Sequence, residues 1–291
     1  MSVREFAAHL GVSERMVSKW EAGGPAIRPR PLNQEALDTS LALAGAAVQA
    51  RFAVITDRQA VRIPGRRPGD SGRHVVTHPV DEKLMVLVDA GPFLSGPDNR
   101  QLWMPAYYLD VYPTTNADFG RFVASTGHRP PSHWPGGVCP DALLDHPVVF
   151  VTWHDADAYA LWADKALPSQ HEWEKAARGV RGAIYPWGDR VVAAAGVCNV
   201  RESGLGTTTP VRRYHNGVSP YGAYDMCGNV WEWCGERTEA DRCVLKGGAF
   251  TGTLADAAPT TVHHAPADGS ARDVGFRCVK AAQDVLDLLA I

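Results

Sequence analysis

The stretch Gly222–Trp233, which reads GAYDMCGNVWEW, decides how the rest of the chain is interpreted. Its alternating end places the side chains of Trp231 and Trp233 on one side of an extended segment and the carboxylate of Glu232 on the other. Asp225 adds a second carboxylate a few residues earlier. Burying a carboxylate between two indoles costs free energy unless a positive group or a set of donors meets it. The stretch is therefore a candidate site for a hard cation.

The composition is that of an ordinary globular chain of 291 residues, with 45% apolar and 21% charged residues. The net charge of -3 argues against extensive coating of nucleic acid, although a local basic patch is compatible with it. The sequence contains no run of about 18 apolar residues that could span a bilayer, and its first residues are polar rather than signal-like. These features predict a cytoplasmic protein with no membrane partner.

Six cysteines are spread over about half of the chain without a Cys-x-x-Cys pair. In a reducing compartment the expected state is a buried free thiol. A zinc ribbon does not suit these spacings, and the sequence selects no pairing. The residues are Cys139, Cys198, Cys227, Cys234, Cys243 and Cys278.

The first 24 residues predict two short helices around a turn at Gly11, the pattern of a helix-turn-helix. They fit the repressor-like sequence pattern well, and the alternative is an ordinary helical hairpin. Met1 falls where a preceding core helix should end, so either the true start lies upstream or the module is partial. In the helix-turn-helix interpretation, the residues that face the DNA major groove are Ser13, Glu14, Arg15, Ser18 and Lys19.

Four regions follow from the pattern along the chain. Residues 1–50 contain the partial helix-turn-helix and a following helix, 51–81 form a basic linker, 82–281 form the main domain, and 282–291 form a C-terminal tail. Within the main domain, apolar runs predict strands at 84–88 and 107–112. Capping residues predict that helices begin near Thr115, Thr152 and Ser169.

Motifs of the main domain, in this order, resemble the formylglycine-generating enzyme family, also called the sulfatase-modifying-factor domain. The resemblance implies an α+β fold that is C-type-lectin-like, has little regular secondary structure and is stiffened by calcium; the N-terminal segment would add a small all-α part. The motifs are Tyr108–Asn116, His146–Val148, Leu167–Gly179, Tyr185–Asp189, Gly228–Trp233, Lys246–Phe250 and Gly275–Cys278.

The resemblance also implies positions for calcium, whose preferred ligands are oxygen atoms. Asp225 and Glu232 would supply carboxylates, and Gly228 and Val230 would supply backbone oxygens. The alternative is that Glu232 holds a loop without metal by accepting backbone hydrogen bonds. A second calcium site would begin at Asn199 and Val200, but its later acidic ligand falls near Ser203, which has no carboxylate.

Catalysis is where the chain departs from the family. Members that oxidise cysteine to formylglycine bind copper(I) through two cysteines, and soft thiolates are the ligands that copper(I) selects. The corresponding residues here are Gly252 and Ala257, so the sequence does not favour copper. A related branch resembles the sulfoxide synthases, which bind iron through three histidines. His263 and His264 are weak candidates for that role, because neighbours on an extended segment point to opposite faces.

Two principal hypotheses for function follow. The first is a calcium-stabilised binding module whose groove, between loops Pro130–Asp145 and Thr251–Arg272, takes a peptide or a small molecule. Its N-terminal segment would contact DNA or a protein partner. The second is a non-haem iron oxidoreductase of the same superfamily, which would use His263 or His264. A fold that only supports oligomerisation is a third alternative.

Overall fold

The computed structural model describes residues 75–190, 193–238 and 240–289. In these parts the chain forms short strands and four α-helices joined by long loops, a mixture that confirms the mixed helix-and-strand class predicted for the main domain. The strands are β1 (Val75–Thr77), β2 (Leu84–Val88), β3 (Gly91–Ser95), β4 (Arg100–Met104), β5 (Tyr107–Asp110), β6 (Trp231–Arg237), β7 (Arg242–Lys246), β8 (His263–Pro266), β9 (Val274–Phe276) and β10 (Val279–Ala281). The helices are α1 (Asn116–Thr126), α2 (Trp153–Trp162), α3 (Gln170–Arg178) and α4 (Ala282–Leu289).

Two four-stranded sheets organise the domain. The first has the order β1-β2-β5-β10 and is antiparallel, with Val86 of β2 paired to both Val75 and Leu109. All four residues of β5 are buried, including Asp110, whose carboxylate is bound by Lys165. Strands β3 and β4 form a separate hairpin.

The second sheet, in the order β8-β7-β6-β9, carries the stretch from which the sequence analysis began. Strand β6 is interior, antiparallel to β7 and parallel to β9, and Glu232 lies opposite Lys246 and Gly275. A Cβ atom at Gly275 would lie 2.6 Å from the carbonyl oxygen of Val148, so only glycine allows this close approach of the backbones. The sheet order therefore buries Glu232 in the interior of the domain.

Helices α1, α2 and α3 begin where their capping residues predict. The side chains of Thr115, Thr152 and Ser169 each accept a hydrogen bond from the backbone N–H three residues on, and the carboxylate of that residue accepts one from the backbone N–H of the cap. Gly127 ends α1 with a φ of 72°, a left-handed conformation that favours glycine. These predictions are confirmed because every contact that they need lies within one turn of the chain.

A buried charge network joins the first sheet to α2. The Lys165 ammonium donates to Asp81 at 2.7 Å and to Asp110 at 2.8 Å, and all three side chains are inaccessible to solvent. Asp81 and strand β1 lie inside the range 51–81 for which the sequence predicts a linker, so the folded domain begins before residue 82. The reason is that Asp81 is bound by a lysine 84 residues away, a contact that no local pattern indicates.

Two further features bound the domain. Helix α4 occupies most of the predicted C-terminal tail, 282–291. In the described part of the chain, no helix is both long enough and apolar enough to cross a bilayer. The predicted helix-turn-helix and the linker up to residue 74 lie outside the described residues.

Candidate functional site

The carboxylate of Glu232 is held by three side-chain donors in the interior. Arg277 binds both of its oxygens, with Nε 2.7 Å from Oε2 and Nη2 2.6 Å from Oε1, and the Trp173 indole donates to Oε2 at 2.7 Å. The side chains of Glu232 and Arg277 are 1% and 0% exposed. The guanidinium also donates to the carbonyl oxygens of Asp110, Val111 and Tyr224. Glu232 is therefore neutralised by the protein itself.

Asp225 lies close by in a different electrostatic state. It is 5% exposed and has a φ of 53°, and its Oδ2 accepts a hydrogen bond from Asn229 at 2.8 Å. The other oxygen, Oδ1, is buried and has no hydrogen-bond partner among the described residues. Burial raises the pKa of Asp225 to about 7, although the hydrogen bond from Asn229 and the charge of Arg277 oppose that rise.

These observations test the fit of calcium to the first predicted ligand set. An unsatisfied, buried carboxylate oxygen is a position where a cation would replace the missing donor, so Asp225 fits such a role. The backbone carbonyl of Gly228 accepts a weak local hydrogen bond from Val230 at 3.0 Å. Glu232 fits less well, because Arg277 already balances its charge. In the chain as described, no group of three or more His, Cys, Asp or Glu side chains is arranged to hold a metal.

The second predicted ligand pair, Asn199 and Val200, shares a single hydroxyl. Ser203 Oγ lies 2.9 Å from Asn199 Oδ1 and 2.7 Å from the Val200 carbonyl oxygen. One hydroxyl carries one proton, so a single donor serves two acceptors here. The Ser203 hydroxyl thus occupies the place where the resemblance puts an acidic ligand, and three oxygens converge there without a carboxylate.

Asn229 connects the two ligand sets, and the sequence analysis assigned it no role. Its backbone N–H donates to the Asn199 carbonyl at 2.7 Å, and its side chain joins Asp225 to Asn199 and Thr209. Arg277 was missed in the same way. The available signal was an arginine between Phe276 and Cys278 in an otherwise apolar run, since a buried arginine requires a buried acid.

The two positions that the family resemblance aligns with copper cysteines, Gly252 and Ala257, lie on the loop that follows β7. Gly252 is tied down by its backbone, with its carbonyl accepting from Arg201 at 2.7 Å. Ala257 is fully buried in an apolar cluster that includes Tyr185, Cys198 and Cys227. The site that would need two thiolates therefore offers one backbone and one methyl group.

The two candidate histidines do not converge. His263 pairs with Leu245 and packs against the Trp231 ring at 5.5 Å, while His264 is the next residue on the same strand and faces the other way. Both line an open cleft of about 430 Å³ beside β8. The described chain supplies no third histidine or carboxylate that would complete a metal site with them.

A second cleft, of about 300 Å³, lies between the two loops predicted as the rim of a groove. Pro130, Pro131 and Ser132 form one wall, and Asp268 and Ser270 form the other. The base is Phe119 and the segment 150–152, with Arg129 and Asp155 at the edge. Asp155 accepts from His128 at 2.8 Å, and Phe150 has a φ of 57°, which is uncommon for a bulky residue.

The predicted DNA-contacting residues Ser13, Glu14, Arg15, Ser18 and Lys19 lie outside the described part of the chain, so the structure places none of them.

Comparison with known proteins defines the class. A model of the sulfatase-modifying factor enzyme 1-like domain matches residues 72–282, which is more than half of the chain. The chain belongs to this family. It is similar to the inactive C-alpha-formylglycine-generating enzyme 2 of Mus musculus, at 29% identity over 69% of this chain and 87% of that protein. It is also similar to the formylglycine-generating enzyme of Streptomyces coelicolor, at 32% identity over 57% of this chain and 65% of that protein.

Coverage and fold complete the comparison. The curated relatives that match first are covered over 27% to 88% of their own length, so some of them extend far beyond the shared domain. Among solved structures, PvdO from Pseudomonas aeruginosa aligns with a TM-score of 0.62 and 19% identity, covering 74% of this chain and 99% of that one. A likeness of that identity establishes the fold and nothing further.

Proposed function

We propose that this chain is a non-catalytic, ligand-binding member of the sulfatase-modifying-factor family. The observation that carries the proposal is the loop after β7, where Gly252 and Ala257 stand at the positions of the two copper ligands. Copper(I) selects soft thiolates, and neither a methyl group nor a backbone can replace them. The similarity to a mouse protein named as inactive agrees with this proposal, although the relatives also include a protein named as a formylglycine-generating enzyme.

The test is copper binding together with product formation. Purified protein is loaded anaerobically with copper(I), analysed for metal, and incubated in air with a synthetic cysteine-containing peptide. We expect no stoichiometric copper and no aldehyde in the peptide mass spectrum. Stoichiometric copper together with conversion of the peptide thiol to an aldehyde would overturn the proposal.

A matched control variant is Gly252→Cys with Ala257→Cys. A Cβ at Gly252 meets Asp256 at an ordinary van der Waals distance of 3.5 Å, so a side chain fits there. Ala257 is more tightly packed, and its added sulfur costs roughly 1–3 kcal/mol. The double variant should gain copper(I) binding, which shows that the metal assay can detect a thiolate pair on this scaffold.

The retained activity that we propose is binding in the cleft between Pro130–Ser132 and Asp268–Ser270. Its aromatic base and charged edge suit a peptide or small ligand with an apolar part. Peptides selected from a random library for binding to the full chain should not bind the Ser270→Trp variant. Ser270 is exposed, and the tryptophan side chain should fill the cleft. Thr238→Trp, at the other cleft, is the control. Equal binding to both variants would refute this location.

We also propose that calcium binds at Asp225 and that the N-terminal segment contacts DNA or a protein. The first part is supported by the unsatisfied Oδ1 atom and the second by the repressor-like sequence pattern. The histidine pair gives the iron alternative no comparable support.

A further inference from the structure

Two buried thiols face each other beneath the loop that carries Ala257. Cys198 and Cys227 are 1% and 2% exposed, and both belong to the same small apolar cluster as Tyr185, Val200 and Ala257. Both cysteines are free in the structure. Cys234, Cys243 and Cys278 pack elsewhere, in the two larger clusters of the core.

The backbones that carry the two thiols are in direct contact. The N–H of Asn229 donates to the carbonyl of Asn199 at 2.7 Å, so the residue after Cys198 is hydrogen-bonded to the second residue after Cys227. A Cβ atom at Gly228 would lie 2.5 Å from that same carbonyl oxygen. A disulfide requires that the backbones of its two cysteines lie close together, and these two segments are in direct contact.

The thiols also interact with each other. The side chains of Cys198 and Cys227 lie within hydrogen-bonding distance of each other. Because both thiols are buried, we expect a peroxide to oxidise this pair after the partly exposed Cys139.

We propose that Cys198 and Cys227 are a redox-modifiable pair that closes to a disulfide when a hydroperoxide oxidises it. Each thiol loses its hydrogen, an S–S bond forms, and the O–O bond of the peroxide breaks. For hydrogen peroxide, the two thiols and one peroxide give one disulfide and two water molecules. The bond ties the segment that leads into Asn199 to the segment that leads into Gly228. The disulfide therefore restrains the two segments against which Ala257 packs. This effect does not depend on a ligand in the cleft between Pro130–Ser132 and Asp268–Ser270.

The experiment uses the full chain, treated with hydrogen peroxide under native conditions. The protein is then denatured, its remaining thiols are alkylated, and its peptides are mapped by mass spectrometry. We expect a cross-linked peptide pair that contains Cys198 and Cys227, two fewer alkylated thiols, and full reversal by dithiothreitol. Because the new bond closes a loop of about 30 residues, the melting temperature should rise by roughly 5–15 °C.

Cys139 provides an internal reference, because it is the partly exposed cysteine and should react first. The variants Cys198→Ala and Cys227→Ala should each abolish the temperature shift, whereas Cys139→Ser should keep it. The peptide map on the unaltered chain needs no variant at either position, so it is decisive even where an alanine variant folds poorly. Alkylation of both thiols at peroxide doses that fully oxidise Cys139, or cross-links through other cysteines, would overturn the proposal.

Discussion

Replacing Glu232 by glutamine tests the charge pair that lies at the centre of the domain. The change keeps the shape of the side chain and removes its charge, which leaves the Arg277 guanidinium buried without a counter-ion. Three N–H groups donate to the carboxylate of Glu232. The amide NH₂ of a glutamine is itself a donor, so it would face these N–H groups without an acceptor. The expected result is a large loss of stability rather than a local adjustment.

The magnitude follows from the burial of both partners. Removing one member of a fully buried ion pair costs about 3–5 kcal/mol, against a total unfolding free energy of roughly 5–15 kcal/mol. For a domain of this size each kcal/mol shifts the melting temperature by about 2–4 °C, so Glu232→Gln should melt roughly 6–20 °C lower. Asp241→Asn is the control. Its pair with Arg237 is exposed, and losing it should change little.

The assay is urea unfolding of both variants, once with calcium and once with EDTA. If Arg277 is the partner that matters, the loss in Glu232→Gln should be nearly the same in the two buffers. A double-mutant cycle with Arg277→Gln should show a coupling energy of about 2 kcal/mol or more. Additive losses, or a loss that disappears in EDTA, would refute the assignment and would make Glu232 a metal ligand instead.

Three further predictions concern metal, acid and DNA. Calcium should raise the melting temperature of the chain and EDTA should lower it, and Asp225→Asn should remove this response; an unchanged response in the variant would exclude Asp225 as a ligand. Burial opposes ionisation of Asp81, yet His78 and Lys165 lower its pKa, so its contribution is present above about pH 4 and lost below it. Lys165→Met should therefore flatten the acid limb of the stability curve, and a curve parallel to that of the unaltered chain would contradict this. Binding of a duplex by the full chain should fall steeply with salt and weaken in Arg15→Ala, whereas salt-independent binding would remove the DNA proposal.

The sequence predicted the local features of the fold correctly and missed the contacts between distant segments. The three capped helices and strand β2 depend on residues within one helical turn or one apolar run, so a short stretch of sequence contains all the information. The partner of Glu232 is 45 residues away, and that of Asp81 is 84 residues away. Such pairs are set by the order of strands in the sheets, which no local pattern encodes.

The candidate site shows the same division. The carboxylates Asp225 and Glu232 were visible as a costly pattern, and the expectation that something positive must meet Glu232 was sound. The sequence could not show that Arg277 is that partner, nor that Asn229 links Asp225 to Asn199. The resemblance to the family supplied Asp225 and Glu232 as candidate ligands. The structure distinguishes them, because Glu232 is fully hydrogen-bonded and Asp225 has an oxygen without a partner among the described residues.

The hydrogen bonds that hold Glu232 do not involve the loop after β7. The donors to Glu232 come from α3 and from the segment after β9, and none comes from residues 251–258. The loop closes on itself, with Thr253 and Asp256 bonded to each other, and it is anchored through Arg201 and Glu202. Because this loop is stabilised separately from the buried charges, a substitution at Gly252 should affect the Glu232 pair little. Ala257 packs against the Cys198 and Cys227 thiols. A disulfide between these two cysteines should therefore alter the loop that carries Ala257 without altering the Glu232–Arg277 pair.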